Sequence, residues 1–389
     1  MSKLFIIESD TGERIPFLRG VMVESLVRTG LSFQDAYLVA QSIRDRLEDD
    51  GEITTDRLRE RVSAEVRDRF GSAQAKSYDL GSSRERQIMV QTATDEIPFS
   101  AGILSRSLQA CAIDRTAALE TAKLVHESLQ KSGNTHIDHI DLSKIIYQHL
   151  KKHCSRAAAD RFGSWQRFKQ SNLPLIVLIG GITGTGKSTL TTELAYQLNI
   201  VRTQSTDMMR EIVRCYLPPS KIPTLSYSSF EAWRGLTEDG ESATEVEDTK
   251  VIRGFLSQFK VVRDGLEATI ARAVKERHDL IIDGVHVLPS KLKLDVTQGR
   301  AIIISLMLVV PHKKTLGKRL KHREREQPER SSSRYLKQLD QIWALQSYLV
   351  TEAEGHKIPL IINDDVEEAM DEILMHISNT IARHFPARS

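Results

Sequence analysis

The chain has 389 residues, 40% of them hydrophobic and 27% charged, with a formal net charge of +2. That composition is ordinarily globular and the length suits two or three domains; the near-neutral balance argues against a chain built for nucleic acid or an anionic membrane surface. Cys111, Cys154 and Cys215 lie far apart and form no CxxC pair, so they read as reduced thiols, mostly packing residues. The apolar run at the start is too short for a signal peptide. The longest, residues 301–310, has the length of a buried strand, and a cytoplasmic protein with no membrane or nucleic-acid partner is expected.

The first half repeats itself. Ile15-Pro16-Phe17 recurs as Ile97-Pro98-Phe99, Gly20 as Gly102 and Ser25-Leu26 as Ser107-Leu108. Ala36, Ala40, Leu47 and Gly51 recur as Ala118, Ala122, Leu129 and Gly133. Arg69-Phe70-Gly71-Ser72 then pairs with Arg161-Phe162-Gly163-Ser164. An ordered series at nearly constant offset indicates a duplication. Each copy shows a short extended stretch, the Ile-Pro-Phe signal and helical periodicity; in the first copy the helices are predicted over 18–28, 32–48 and 55–69, with Ser32 as a cap.

In order of elements and helix lengths these copies resemble the ATP-cone, a nucleotide-binding regulatory domain. That family opens with a basic hairpin, whereas the matching places here are acidic: Glu8, Asp10 and Glu13, then Asp95 and Glu96. Two readings stay open: live nucleotide binding, or a structural module through which the chain forms a homo-oligomer. The expected boundaries are 1–84 and 85–170 for the modules and 171–389 for a catalytic domain.

The apolar run Leu175–Ile179 leads into Gly180-Gly181-Ile182-Thr183-Gly184-Thr185-Gly186-Lys187-Ser188-Thr189 and then an amphipathic stretch to Leu198. Strand, GxxxxGK[ST] and helix in that order make a phosphate loop. Glycines leave backbone N–H groups bare for phosphate oxygens, and the helix start adds positive charge. The nucleotide-binding residues are therefore expected to be Gly181, Thr183, Gly184, Thr185, Gly186, Lys187, Ser188 and Thr189. Lys187 would serve the β- and γ-phosphates of ATP, and Ser188 the Mg²⁺ that accompanies it.

A second strand is predicted over 200–203, ending at Ser205-Thr206-Asp207-Met208-Met209-Arg210. Ligands bind at the carboxyl edge of such sheets. There Asp207 could orient an acceptor hydroxyl, or merely cap a helix, and Arg210 could hold an anionic group of the acceptor, with Arg214 nearby. A third strand, 280–282, ends at Asp283-Gly284-Val285-His286: Asp283 suits a second magnesium position, and His286 either touches the acceptor or packs.

This set of elements resembles the adenylate-kinase-like small-molecule kinases. More narrowly it is similar to the 2-phosphoglycerate kinase family, through the phosphate loop, Ser205-Thr206-Asp207 with Arg210, Ser229-Phe230-Glu231-Ala232-Trp233, Gly284-Val285-His286-Val287-Leu288-Pro289 and Gln346-Ser347-Tyr348-Leu349. The likeness spans roughly residues 172–380; the family often has Glu where Asp283 stands. It implies a three-layer α/β P-loop domain with parallel strand order 2-3-1-4-5, ATP and Mg²⁺ as cofactors, and transfer of phosphate from ATP to 2-phosphoglycerate. Another phosphorylated polyol, such as an inositol phosphate met by Arg202, Arg214 and Lys221, stays open as the acceptor. So does a non-catalytic, ATP-sensing regulator.

Two further segments complete the expectation. Residues 217–249 read as an acceptor-binding flap. After a fourth strand at 301–309 comes a basic cluster from Lys313 to Arg330, whose Arg323 and Arg325 are expected to meet transferring charge. A fifth strand at 358–362 precedes Asn363-Asp364-Asp365, expected to cap the last helix beside the adenine.

Overall fold

The structure is a computed structural model describing residues 5–7, 12, 14–17, 19–47, 52–82, 88–92, 95–132, 134–236, 247–294, 299–326 and 332–386. The chain divides into two compact units, Met1–Ser105 with Leu119–Ile146 and Arg106–Ala118 with Tyr147–Ser389.

The duplication is visible in local topology. The first copy runs β1 (Phe5–Ile7), β2 (Arg14–Pro16), α1 (Arg19–Arg28), α2 (Phe33–Leu47), β3 (Glu52–Thr54), α3 (Thr55–Phe70) and α4 (Ser72–Ser82). The second runs β4 (Met89–Gln91), β5 (Glu96–Pro98), α5 (Ala101–Ala110), α6 (Arg115–Ser132), β6 (His136–Asp138), α7 (His139–His153) and α8 (Arg156–Gln170). In each, the first strand pairs antiparallel with the second and parallel with the third. Equivalent apolar positions are buried in both: Leu26 and Leu108, Ala36 and Ala118, Ala40 and Ala122, Leu47 and Leu129. Ser32 does cap α2, its hydroxyl accepting from Asp35 N–H at 3.1 Å.

The match of Arg69–Ser72 to Arg161–Ser164 is a coincidence of letters. Gly71 ends α3 at φ 89°, whereas Gly163 lies inside α8. By position, the break before α8 is Ser155, whose side chain caps that helix. The third strand and fourth helix of each copy escape the periodicity: three residues are too few to show a period of two. Cys111 packs inside, but Cys154 and Cys215 are exposed, against the packing role expected of them.

The catalytic sheet consists of β7 (Leu175–Gly180), β8 (Thr203–Ser205), β9 (Leu280–Gly284), β10 (Ile302–Val309) and β11 (Leu360–Ile362). They are parallel, in the order β8-β9-β7-β10-β11. Every residue of β7 is buried, so helices cover both faces, as a parallel sheet requires. The helices are α9 (Lys187–Leu198), α10 (Thr206–Tyr216), α11 (Asp248–Glu276), α12 (Lys313–Glu326), α13 (Ser332–Lys337), α14 (Leu339–Gly355) and α15 (Val366–His384). On one face Val262, Leu266 and Ile270 of α11 join Ile176, Leu178, Leu280 and Ile282 in one apolar cluster.

β8 starts later than the sequence suggests. Asn199 closes α9 in the left-handed region, and Ile200 N–H is taken by Ala195 C=O, so the chain is still leaving the helix where a strand was expected. Residues 217–236 of the expected flap are packed: Leu225, Phe230, Ala232 and Trp233 are buried, and Gly254 on α11 touches the Ala232–Trp233 backbone where any Cβ would collide. Residues 237–246 of that segment lie outside the described residues.

Candidate active site

Strand register gathers the site. Gly180 at the end of β7 lies opposite Gly284 of β9, and Asp283 lies opposite both Ile179 of β7 and Ser205 of β8. The carboxyl ends of three adjacent strands therefore finish level, and the phosphate loop, Asp283 and Asp207 converge on one edge.

The loop is shaped by backbone conformation. Gly186, at φ 85°, stands just before α9 with no side-chain cap. The first-turn N–H groups of α9 are left to a ligand, and the helix dipole favours an anion there. Thr185 is buried and its hydroxyl donates to Ile182 C=O at 2.9 Å, so its side chain braces the loop from within. Lys187 Nζ donates to the same carbonyl at 2.6 Å, curled over the loop. Ser188 and Thr189 are exposed at the helix start and Thr183 is half-buried.

Asp283 is 7% exposed. Burial raises its pKa above the ordinary carboxylate range; Lys187 opposes this and Asp207 adds to it. These three groups thus sense one another electrostatically. Gly284 follows at φ 147°, where a Cβ would run into the Thr206 side chain, so the close approach of β9 to the start of α10 needs glycine. Ser205, not Asp207, caps α10: its hydroxyl accepts from Asp207 N–H at 3.2 Å. The Asp207 carboxylate is exposed and released from capping.

Arg210 is 14% exposed and already engaged. Its guanidinium donates to Tyr227 C=O and pairs with Glu211 at 2.6 Å. Arg214, more exposed, pairs with the other Glu211 oxygen at 2.6 Å. His286 is fully buried, stacked on Phe255, with Nε2 2.8 Å from Gln258 Oε1. The Gln258 amide nitrogen donates to Thr224 and Tyr227 carbonyls, so its oxygen faces the imidazole as acceptor and His286 Nε2 carries the proton. Burial drops the His286 pKa to about 4 against the pull of Asp207, with Arg210 lowering it further. The imidazole is neutral at physiological pH, and its Nδ1 has no partner among the described residues. His286, Gln258, Tyr227 and Arg210 make one polar chain joining the turn after β9, α11, the 223–227 turn and α10.

Arg323 and Arg325 fall in α12, but their side chains lie outside the described residues, as does Arg330. What α12 does present is a buried edge, Leu316 and Leu320 against Gly184, and Arg319, which donates to Asn363 and Asp364 carbonyls. Asp365 caps α15, accepting from Glu367 N–H at 2.8 Å and Glu368 N–H at 3.0 Å. Asn363 instead turns its amide onto the phosphate loop, donating to Thr185 C=O at 2.7 Å. Asn363 was expected only in the segment capping the last helix beside the adenine, and Arg319 only as one member of the basic cluster; no motif announced the contacts they make. Nor did any announce the role of Glu231, a buried carboxylate paired with Arg334 of α13 and, at 3.3 Å, with Arg234.

No family model matches the sequence. Curated relatives do. The sequence is 36% identical over 281 residues to the 2-phosphoglycerate kinase of Pyrococcus horikoshii, covering 72% of this chain and 90% of that one. It is 35% identical to that of Pyrococcus furiosus, covering 72% and 89%. The Methanopyrus kandleri enzyme is 34% identical over 301 residues, covering 77% and 90%. Each matched length exceeds that of residues 171–389, so the likeness reaches back into the N-terminal half. The chain belongs to the 2-phosphoglycerate kinase family.

Proposed function

We propose that the chain transfers the γ-phosphoryl group of ATP to the free hydroxyl of 2-phosphoglycerate, giving ADP and 2,3-bisphosphoglycerate. The observation that supports this best is the convergence of Lys187, Asp283 and Asp207 at level strand ends, in a chain of this family. The acceptor oxygen attacks the γ-phosphorus, the bond to the β–γ bridging oxygen breaks, and the hydroxyl proton leaves by way of Asp207. Asp207 has the role because its carboxylate is exposed at the edge and not spent on capping. Lys187 and the N–H groups at the start of α9 hold the phosphates and neutralise the charge that shifts between them.

The residues fit Mg²⁺. Asp283 is a buried carboxylate whose ionised form lacks solvation, and Ser188 offers a hydroxyl at the helix start. Those two would hold the ion, which when bound draws charge from the phosphate oxygens. For the acceptor, Arg210 is the nearest guanidinium to Asp207 in sequence; binding the acceptor's phosphate there would mean sharing it with Tyr227 and Glu211. Arg214 lies one turn on, and His286 supplies a neutral wall.

The two N-terminal copies, bounded near 84 and 170, read as ATP-cone-like modules in a cytoplasmic enzyme. Their shared plan, three short strands with helices between, supports this reading. The test is ADP release from ATP with 2-phosphoglycerate, 3-phosphoglycerate, inositol phosphates or no acceptor. Release with 2-phosphoglycerate alone supports the proposal. Release with inositol phosphates alone moves the acceptor class, and no acceptor-dependent release overturns the kinase reading.

A further inference from the structure

We propose that Asn363 and Arg319 are positioning residues for the nucleotide: a brace that sets the conformation of the phosphate loop and so its affinity for ATP and ADP. The inference rests on the loop's reading as the nucleotide site.

The argument begins at one peptide bond. Thr185 C=O accepts from Asn363 Nδ2 at 2.7 Å. A trans peptide is planar, with its C=O and N–H pointing in opposite directions. Holding the Thr185 carbonyl on the Asn363 side therefore aims the Gly186 N–H the other way. A loop free to flip that peptide would present a carbonyl oxygen to an anion. The same amide fills the space a Cβ would need at Gly186, so loop and brace fit each other as a pair.

Asn363 is itself held. It is 2% exposed, its backbone N–H donates to Val309 C=O at 3.0 Å, and Arg319 clasps its carbonyl together with that of Asp364. Its Oδ1 is buried without a partner among the described residues. An acceptor-only carbonyl can meet only the amide nitrogen, so the side chain's orientation is decided by Thr185. Arg319 shares α12 with Leu316 and Leu320, which close on Gly184. The loop is thus gripped at two glycines by elements far away in sequence.

The experiment uses the full chain. Wild type, Asn363→Ala, Asn363→Asp and Arg319→Lys are compared by calorimetric titration with ADP and by kinetics with ATP and acceptor varied separately. Asn363→Ala should raise the ADP Kd and the ATP KM about tenfold, the loss of one hydrogen bond to a desolvated carbonyl, and leave the acceptor KM unchanged. Asn363→Asp should be worse, since a carboxylate would face the carbonyl oxygen. Arg319→Lys, which keeps the charge but loses the guanidinium Nη2 that donates to both carbonyls, should shift the same constants in the same direction by less. A merely structural residue would lower the melting temperature without separating the two KM values. Unchanged ADP affinity in a folded Asn363→Ala, or equal rises in both KM values, overturns the brace. If that variant does not fold, unchanged ADP affinity in Arg319→Lys does so. Failure of wild type itself to bind ADP overturns the nucleotide reading first, and the brace with it.

Discussion

The phosphate loop and the proposed acceptor wall occupy the same sheet edge, yet they are built in opposite ways. The loop is ten consecutive residues whose work is done by backbone N–H groups and one lysine. The wall is assembled from the turn after β9, α10, α11 and the 223–227 turn, and its polar groups are held to one another. The difference teaches where substitution should be tolerated. A loop serving phosphates with an exposed helix start can lose charge without losing its fold. A wall whose arginine, glutamine and histidine are linked cannot lose one member without disturbing the rest.

The sharpest test of that contrast is Lys187→Ala. Removing a phosphate-binding cation should cost ~10³-fold or more in turnover, with the melting temperature unchanged. Turnover above a tenth of wild type would break the loop assignment. Asp207→Asn should come next, cutting turnover by ~10²-fold while ADP still binds in calorimetry. Because Ser205 supplies the helix cap, this variant should keep its stability; a fall in stability with normal specific activity would return Asp207 to a structural role.

Arg210→Lys sits on the wall side. A lysine cannot serve Tyr227, Glu211 and an acceptor phosphate with one planar fork, so acceptor kcat/KM should fall roughly ten- to a hundredfold. Unlike Lys187→Ala, it should also lower the melting temperature. A fall in ATP affinity with unchanged acceptor kinetics would move Arg210 to the nucleotide side.

The smallest effects separate the regions by pH. Asp283 has a folded pKa raised by burial, so the folded state holds its proton more tightly than the unfolded chain does. Its contribution to stability is full below the ordinary value of 3.8 and is lost as pH rises through the folded value. Burial disfavours the charged carboxylate, and Asp283→Asn should raise the melting temperature of the ligand-free protein while lowering turnover. No gain at pH 7, measured by calorimetry, would mean that penalty is absent. His286 runs the other way. Its folded pKa is depressed from 6.5 to about 4, so its stability contribution is present above 6.5 and is lost as pH falls toward 4. His286→Leu should be less stable at pH 7 but should lose less stability than wild type between those values. A parallel decline in the two proteins would exclude His286 as the acid-sensitive group.

Legibility followed the same division. The phosphate loop, the central strands and the paired copies can be read in a line of sequence, because each rests on neighbours: glycines beside a lysine, apolar runs, recurrent helical spacing. Where local chemistry competed, the reading slipped. The helix exit at Asn199 delayed β8, and Ser205 took the cap that Asp207 could have served. Arg-Phe-Gly-Ser recurred in letters at places that are not equivalent, since four residues carry no record of whether their glycine ends a helix or lies inside one.

By itself, the sequence determined the phosphate-binding backbone, the acidic residue at the end of β9 and the duplicated N-terminal plan. Glycine conformations, strand periodicity and helix starts are consequences of adjacent residues and need no distant partner. Tertiary structure alone decided that Arg210 is shared with Tyr227, that His286 is buried and neutral, and that Asn363 grips Thr185 from 178 residues away. Those outcomes depend on which carbonyls and side chains the sheet order brings within hydrogen-bond distance. A side chain's partner and its protonation state are properties of that assembled environment, and no spacing along the chain encodes them.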